Sequence, residues 1–313
     1  MRVVISGAGV LAPSPAVEDG IAGAVHVVPG FDPESELGAR SSRYVHRSAQ
    51  LAMVACGRAL DDAGIPEEAR ERVGITVGTT SGSVTGVVDF GSGSFAQKRA
   101  YLVAAAQTPN VVLNVAAAAS AIKFGLRGPN TTIAAGAVAG LAALRHAVIA
   151  LRAGHADAIV AGAAEEVSGP STRVAAATRG GPHSEGAAMF LLEPATAART
   201  PRAEIAAITV ASPADCTSET VADALRQALH TAGLADPVRV VAHRGGAEVA
   251  AGVAEVLPDV VRIEEPAGDC HSAHAALQIA AVLADGRLPA VIVATDPEGT
   301  LGVAVLTAPE EKK

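Results

Sequence analysis

The stretch Leu141-Ala-Ala-Leu-Arg-His-Ala-Val-Ile-Ala-Leu-Arg-Ala153, followed by Asp157-Ala-Ile-Val-Ala-Gly-Ala163 and Gly186-Ala-Ala-Met-Phe-Leu-Leu-Glu193, decides the fold, because its order recurs in the second half of the chain. The first part has apolar residues at the three- and four-residue spacing of an amphipathic helix; the other two are apolar runs of strand length. The recurrence is Ala275 to Asp285 as the helix, Leu288-Pro-Ala-Val-Ile-Val-Ala294 as the strand and Gly302-Val-Ala-Val-Leu-Thr307 as the closing strand. Upstream, Arg2 to Ser6 corresponds to Glu204 to Val210, and Arg72 to Val77 corresponds to Val238 to Ala242. Each half, 1–198 and 199–313, reads as a βαβαββ unit, and two copies this long predict a pseudo-symmetric pair rather than a solenoid. Strands apolar on both faces need cover on both sides. The expected architecture is therefore α/β in five layers, α-β-α-β-α, with parallel βαβ units in the sheets and the two quoted helices buried centrally. Ser168 to Pro182, with Gly, Ser, Thr, Pro and two Arg without periodicity, and Thr80 to Gly93, rich in Gly and Ser, read as loops near a site or interface.

Composition fits such a core. Of the 313 residues 50% are hydrophobic but only 2% aromatic, with no Trp, so small side chains let layers approach closely. A net charge of −8 without a Lys/Arg cluster argues against nucleic acid as a partner. No apolar run approaches the roughly 18 to 20 residues of a membrane span. Met1 to Val10 resembles a short secretion signal, but Gly7 and Gly9 interrupt it and a proline-rich turn follows. Cys56, Cys216 and Cys270 lack paired spacing, so neither a disulfide framework nor a metal site is expected, and a cytoplasmic location fits.

Several segments, in order, resemble the ketosynthases of fatty acid and polyketide synthesis. They are Arg2-Val-Val-Ile-Ser-Gly-Ala-Gly-Val, Ala59-Leu-Asp-Asp-Ala-Gly-Ile, Arg72-Val-Gly-Ile-Thr-Val-Gly-Thr-Thr, Phe124-Gly-Leu-Arg-Gly-Pro-Asn-Thr-Thr-Ile, Ala161-Gly-Ala-Ala-Glu and Ser184-Glu-Gly-Ala-Ala. The resemblance implies the thiolase-like fold, which has the layering already expected. It also implies a Cys nucleophile at the tip of the central helix, where the helix dipole and backbone N–H groups lower the thiol pKa and hold an oxyanion. Counted without gaps from Gly128-Pro129, that position is Ala137, and a methyl group cannot attack a thioester.

By the same resemblance the first family histidine is His243. The second falls on Asp269, with His271 and His274 nearby as alternatives, the family lysine on Glu264 or Glu265, and the gate loop on Asp296-Pro-Glu-Gly. Joint loss of catalytic groups in an intact scaffold resembles the chain-length factor of a type II polyketide synthase. Such a subunit is itself inactive, and with an active ketosynthase it forms a heterodimeric β-ketoacyl synthase. The implied reaction is decarboxylative condensation of malonyl units in polyketide synthesis, with a polyene pathway suggested by the trimmed length. No cofactor is implied beyond the phosphopantetheine arm of an acyl carrier protein. The resemblance further implies pairing across a two-fold axis through Thr131, Thr132, Ile133, Ala134 and Ala135. This chain departs from the usual factor in carrying Ala rather than Gln at 137, and in being shorter between Glu166 and Ser184 and before His243.

Other readings stand beside these. Gly7-Ala-Gly9-Val-Leu-Ala12 matches a dinucleotide fingerprint, but Pro13 and Pro15 occupy the start of the required helix. His243 is either a residual base or a structural remnant. Cys270 beside His271 is either a relocated nucleophile and base or a structural pair, and His271 with His274 either two metal ligands or a polar helix start. Ala104, Ala105 and Ala106, like Ala116 to Ala121, either fill a helix or leave room for a tunnel. Two alternative functions follow: a stand-alone malonyl-thioester decarboxylase using His243, and an acyltransferase using Cys270.

Overall fold

The computed structural model describes residues 1–14, 25–178, 183–234, 236–263 and 267–310. In chain order the strands are β1 (Val3–Leu11), β2 (Val25–His26), β3 (Val73–Thr79), β4 (Asn130–Ala134), β5 (Ala158–Glu165), β6 (His183–Ser184), β7 (Gly186–Pro194), β8 (Ala203–Ala211), β9 (Val240–Arg244), β10 (Val261–Arg262), β11 (Ala290–Thr295) and β12 (Leu301–Thr307). The helices are α1 (Pro33–Leu37), α2 (Ala39–Ser42), α3 (Arg47–Asp62), α4 (Val84–Ala96), α5 (Val115–Phe124), α6 (Ala139–Arg152), α7 (Gly169–Thr178), α8 (Ser218–Ala232), α9 (Ala247–Val256) and α10 (His274–Asp285).

The opening strands β1 and β8 meet antiparallel through Val4 opposite Glu204 and Ile5 opposite Ala203. That seam joins two five-stranded halves into one ten-stranded sheet. Outward from it the strand order is the same on both sides: β1-β7-β5-β3-β4 and β8-β12-β11-β9-β10. The repeat read from the sequence is thus a repeat of topology. The sheet is mixed, however, and not built wholly of parallel units. β3 runs parallel to β4 and β5, and β9 to β10 and β11, whereas β7 and β12 are antiparallel to both of their neighbours. The link between β11 and β12, only residues 296–300, is far too short for the crossover that a parallel pair requires.

Three apolar clusters account for the five layers. The central one gathers Leu141 and Leu144 of α6, Ile279 of α10, and Ile159, Phe190 and Ile292 from the inner sheet faces. Leu51 and Met53 of α3 pack with Ile75 and Met189 on one outer face, and Val221 and Leu225 of α8 with Val291 and Val303 on the other. Small residues set the spacing: a side chain on Gly140 of α6 would press on Ser272 and Ala276 at the start of α10. Gly7 and Gly9 belong to the same design. They lie in β1 beneath α3, and a Cβ on either would strike the carbonyl of Ala59 or Ala55. Their spacing serves close strand–helix packing.

The structure corrects two expected loops. Most of Thr80 to Gly93 is α4, whose N-cap Ser83 accepts a hydrogen bond from the Gly86 N–H through its side-chain oxygen, and 169–178 is α7, packed against α4. Capping and this mutual packing override a composition that signals turns. Arg179 to Pro182, Pro15, Glu264 and Glu265 lie outside the described residues. Among those described, no helix is long and apolar enough to cross a membrane.

Candidate functional site

Among the described residues β4 lies at one end of the sheet, paired to β3 alone, and carries Thr131, Thr132, Ile133 and Ala134 along an edge that is only partly buried. After Ala135 the chain turns at Gly136, with φ +50°, through a short 3-10 turn into α6. Ala137 sits on this elbow, fully buried. Its N–H donates to Oδ2 of Asp296 at 2.7 Å, across 159 residues of sequence. Asp296 follows β11 directly and is 8% exposed; its Oδ1 accepts from the Glu298 N–H at 2.9 Å. A side chain at position 136 would collide with that carboxylate, so Gly136 is required by space as well as by φ.

His271 lies on the 3-10 turn that leads into α10, with a left-handed φ of 40° that a non-glycine residue adopts at some cost. Its Nδ1 is 2.6 Å from Thr80 Oγ1, and that hydroxyl donates to Glu165 Oε2 at 2.6 Å. Ser272 Oγ donates to the same carboxylate oxygen at 2.7 Å. Thr80 has one proton and gives it to Glu165, so the His271 Nδ1 must carry the proton in its contact with Thr80. Nε2 then faces Asp296 Oδ2 at 3.9 Å.

Asp269, expected from the resemblance at the second histidine position, is held by Arg244. The guanidinium Nη2 reaches both carboxylate oxygens at 2.7 Å, Nε reaches Oδ1 at 3.2 Å, and the His271 N–H adds a bond at 2.8 Å. Burial alone would push this carboxyl up, but the Arg244 charge and these hydrogen bonds outweigh it and hold the group below the usual carboxylate range. The residue that pairs with this acid, Arg244, is the one next to His243. His243 itself is buried in β9, paired in register with Val293 of β11, and its carbonyl accepts from Arg262. Arg244, Asp269, His274, Asp296, Cys216 and Glu248 line a cleft of about 910 Å³ at the ends of β9 and β11.

Cys270 does not provide a relocated nucleophile. It is fully buried, its thiol donates to the Glu185 carbonyl at 3.6 Å, and burial pushes its pKa well above the ordinary thiol value. Ala104, Ala105 and Ala106 lie exposed in or beside the 3-10 segment Ala105–Val111 and fill no α-helix. Among the described residues no cluster of three His, Cys, Asp or Glu side chains is placed to hold a metal. Sequence reasoning missed Thr80, Glu165 and Arg244 as site residues. Glu165 closes the motif Ala161-Gly-Ala-Ala-Glu, and Arg244 adjoins His243, but neither position announces its partner.

Residues 12–186, more than half of the chain, match the family described as Beta-ketoacyl synthase, N-terminal domain. The 3-oxoacyl-[acyl-carrier-protein] synthase 2 of Vibrio cholerae is 30% identical over 194 residues, 54% of this chain and 47% of that protein. The chain thus spans about half the length of the curated relatives it matches. The structure of the ishigamide ketosynthase/chain length factor superposes with a TM-score of 0.86 and 30% identity, over 99% of this chain and 100% of that one. The AntDE:AntF complex, a type II PKS acyl-carrier protein with its ketosynthase bound to the hexaketide, shares the fold at a TM-score of 0.77 and 18% identity, over 98% of this chain and 99% of that one. With a matching family domain, a thiolase-like layering and a central helix entered through the elbow at Ala137, the chain belongs to the β-ketoacyl synthase family.

Proposed function

We propose that this chain is a non-condensing subunit of chain-length-factor type, which pairs with a Cys-bearing ketosynthase and contributes wall to the acyl tunnel of the complex. The observation that carries the reading is the buried methyl of Ala137 at the helix tip where acyl transfer would begin. The Cys270 thiol does not take its place, being fully buried with its pKa pushed up by that burial. A catalytic partner must then supply the nucleophile and imidazoles, acting on malonyl units carried by the phosphopantetheine of an acyl carrier protein.

The surface favours a partner. The β4 edge presents unpaired backbone groups on one side, and the elements beside it expose Val87, Phe95, Tyr101, Leu102, Leu113 and Ile122, with Phe95 92% and Ile122 84% exposed. α5 packs on β4, and the 3-10 segment Ala105–Val111 packs on both α4 and α5, so these side chains belong to connected elements. Exposed apolar side chains on elements that connect through α5 to an open strand edge fit an obligate partner of the same fold. Thr131 to Ala135 would then lie at the two-fold contact, with Ala104 to Ala106 near the subunit boundary. Co-expression with a Cys-bearing ketosynthase encoded nearby, followed by size exclusion, should give a one-to-one complex that condenses malonyl units only when the partner's Cys is intact. A purified chain that alone carries an acyl group and elongates it would overturn the proposal.

A further inference from the structure

The Asp296 carboxylate stands between the cleft and the elbow. It lines the cleft, yet its Oδ2 accepts the Ala137 N–H at 2.7 Å and rests where any side chain on Gly136 would be. A backbone N–H at the start of a buried helix is the group that would bind a thioester carbonyl oxygen or the anion formed from it. Here that donor is already engaged, by a group that carries the negative charge such an oxygen would develop. Three features over-determine the arrangement. Oδ1 accepts from the Glu298 N–H, the Asp296 N–H donates to the Thr300 carbonyl at 2.8 Å, and Oδ2 itself accepts from the Ala137 N–H; His271 Nε2 lies 3.9 Å from Oδ2, outside hydrogen-bond range. The turn that delivers the imidazole is itself left-handed and anchored through Thr80 to Glu165.

We infer that Asp296 is a built-in plug, an intramolecular carboxylate that occupies the elbow's anion position and closes it to acyl thioesters. The inference deepens the non-condensing reading and rests on it only in taking Ala137 as the lost nucleophile position. Loss of the thiol alone would leave an elbow still able to bind a malonyl thioester. With the plug in place the donor is used, the space beside Gly136 is filled, and a second anion meets a fixed negative charge. The malonyl group of the whole complex is thereby left to the catalytic partner.

Chemical rescue tests the plug on the purified chain, alone or in its complex. Asp296→Ala vacates the position, and formate supplies the same carboxylate without the chain. Formate is titrated into the tens of millimolar against sodium chloride at equal ionic strength, with the melting temperature as readout. The expected result is an Asp296→Ala variant that melts below wild type and is raised saturably by formate. Wild type and Asp296→Asn, whose side chains fill the space, should not respond. Formate that acts alike on all three proteins, or on none, overturns the inference. If Asp296→Ala fails to fold, a thiol probe decides. Ala137→Cys is compared with Ala137→Cys combined with Asp296→Asn, and iodoacetamide alkylation should be at least about tenfold faster in the second, because a neighbouring carboxylate disfavours the thiolate. Equal rates would refute the plug. Neither result depends on partner binding, so a failed co-expression and a failed rescue are separate outcomes.

Discussion

Replacing Asp269 by Asn probes the ion pair that Arg244 makes beside the cleft. The variant keeps shape and volume but removes the charge from a pair in which Arg244 is 15% and Asp269 32% exposed at the side chain. Exposed ion pairs contribute about 0.2–1 kcal/mol, whereas breaking a fully buried one costs about 3–5 kcal/mol. The partial burial and bidentate geometry place this pair between those limits, at about 2 kcal/mol near pH 7. In a chain of this length that lowers Tm by about 3 °C. The pH dependence has a definite sign. The folded-state pKa of Asp269 is depressed, so its stabilisation is present above the unfolded-state value of about 3.9 and is lost as pH falls through the lower folded value. Denaturant titrations of wild type, Asp269→Asn, Arg244→Met and the double variant should therefore give a coupling of about 2 kcal/mol near neutrality. The coupling should shrink as the pH is lowered below about 4. Additive single effects, or a coupling that grows on acidification, would refute the assignment of Arg244 as the partner that keeps this acid charged.

Three further outcomes are expected. On the proposed function, Ala137→Cys should not give the purified chain condensing activity, because Asp296 still holds the elbow N–H and Asp269 stays paired with Arg244; product formed from acyl and malonyl carrier protein would show otherwise. Of the three free thiols, only that of Cys216, partly exposed beside the cleft, should react with Ellman's reagent in the native protein. Burial excludes Cys270 and Cys56, whose pKa is pushed up to about 12, and all three should titrate after unfolding. Gly9→Val should cost about 3 kcal/mol or more, because its Cβ meets the Ala55 backbone of α3, and thermal melts against wild type would read the loss.

The chain's periodicity by itself determined the layered fold. Apolar runs repeated in one order can be buried only by stacking two similar halves, and the Ala- and Gly-rich sides of α6 and α10 determine how closely the layers meet. The alanine at the tip of α6 was legible too, since locating it needs only a register and one residue; that it stands at a nucleophile position belongs to the proposed function. Strand direction was not, because an apolar run looks the same in either sense, and β7 and β12 take theirs from short or differently routed connections. The turn-like segments that fold as α4 and α7 were hidden for a related reason: caps and mutual packing supply what their composition lacks. Only the tertiary structure decided what surrounds the elbow. Asp296 reaches Ala137 across 159 residues, Thr80 reaches His271 across 191, and Arg244 reaches Asp269 across 25. Hydrogen bonds and ion pairs act over a few ångströms in space whatever the separation along the chain, so partners that remote carry no local pattern for a reader of sequence to find.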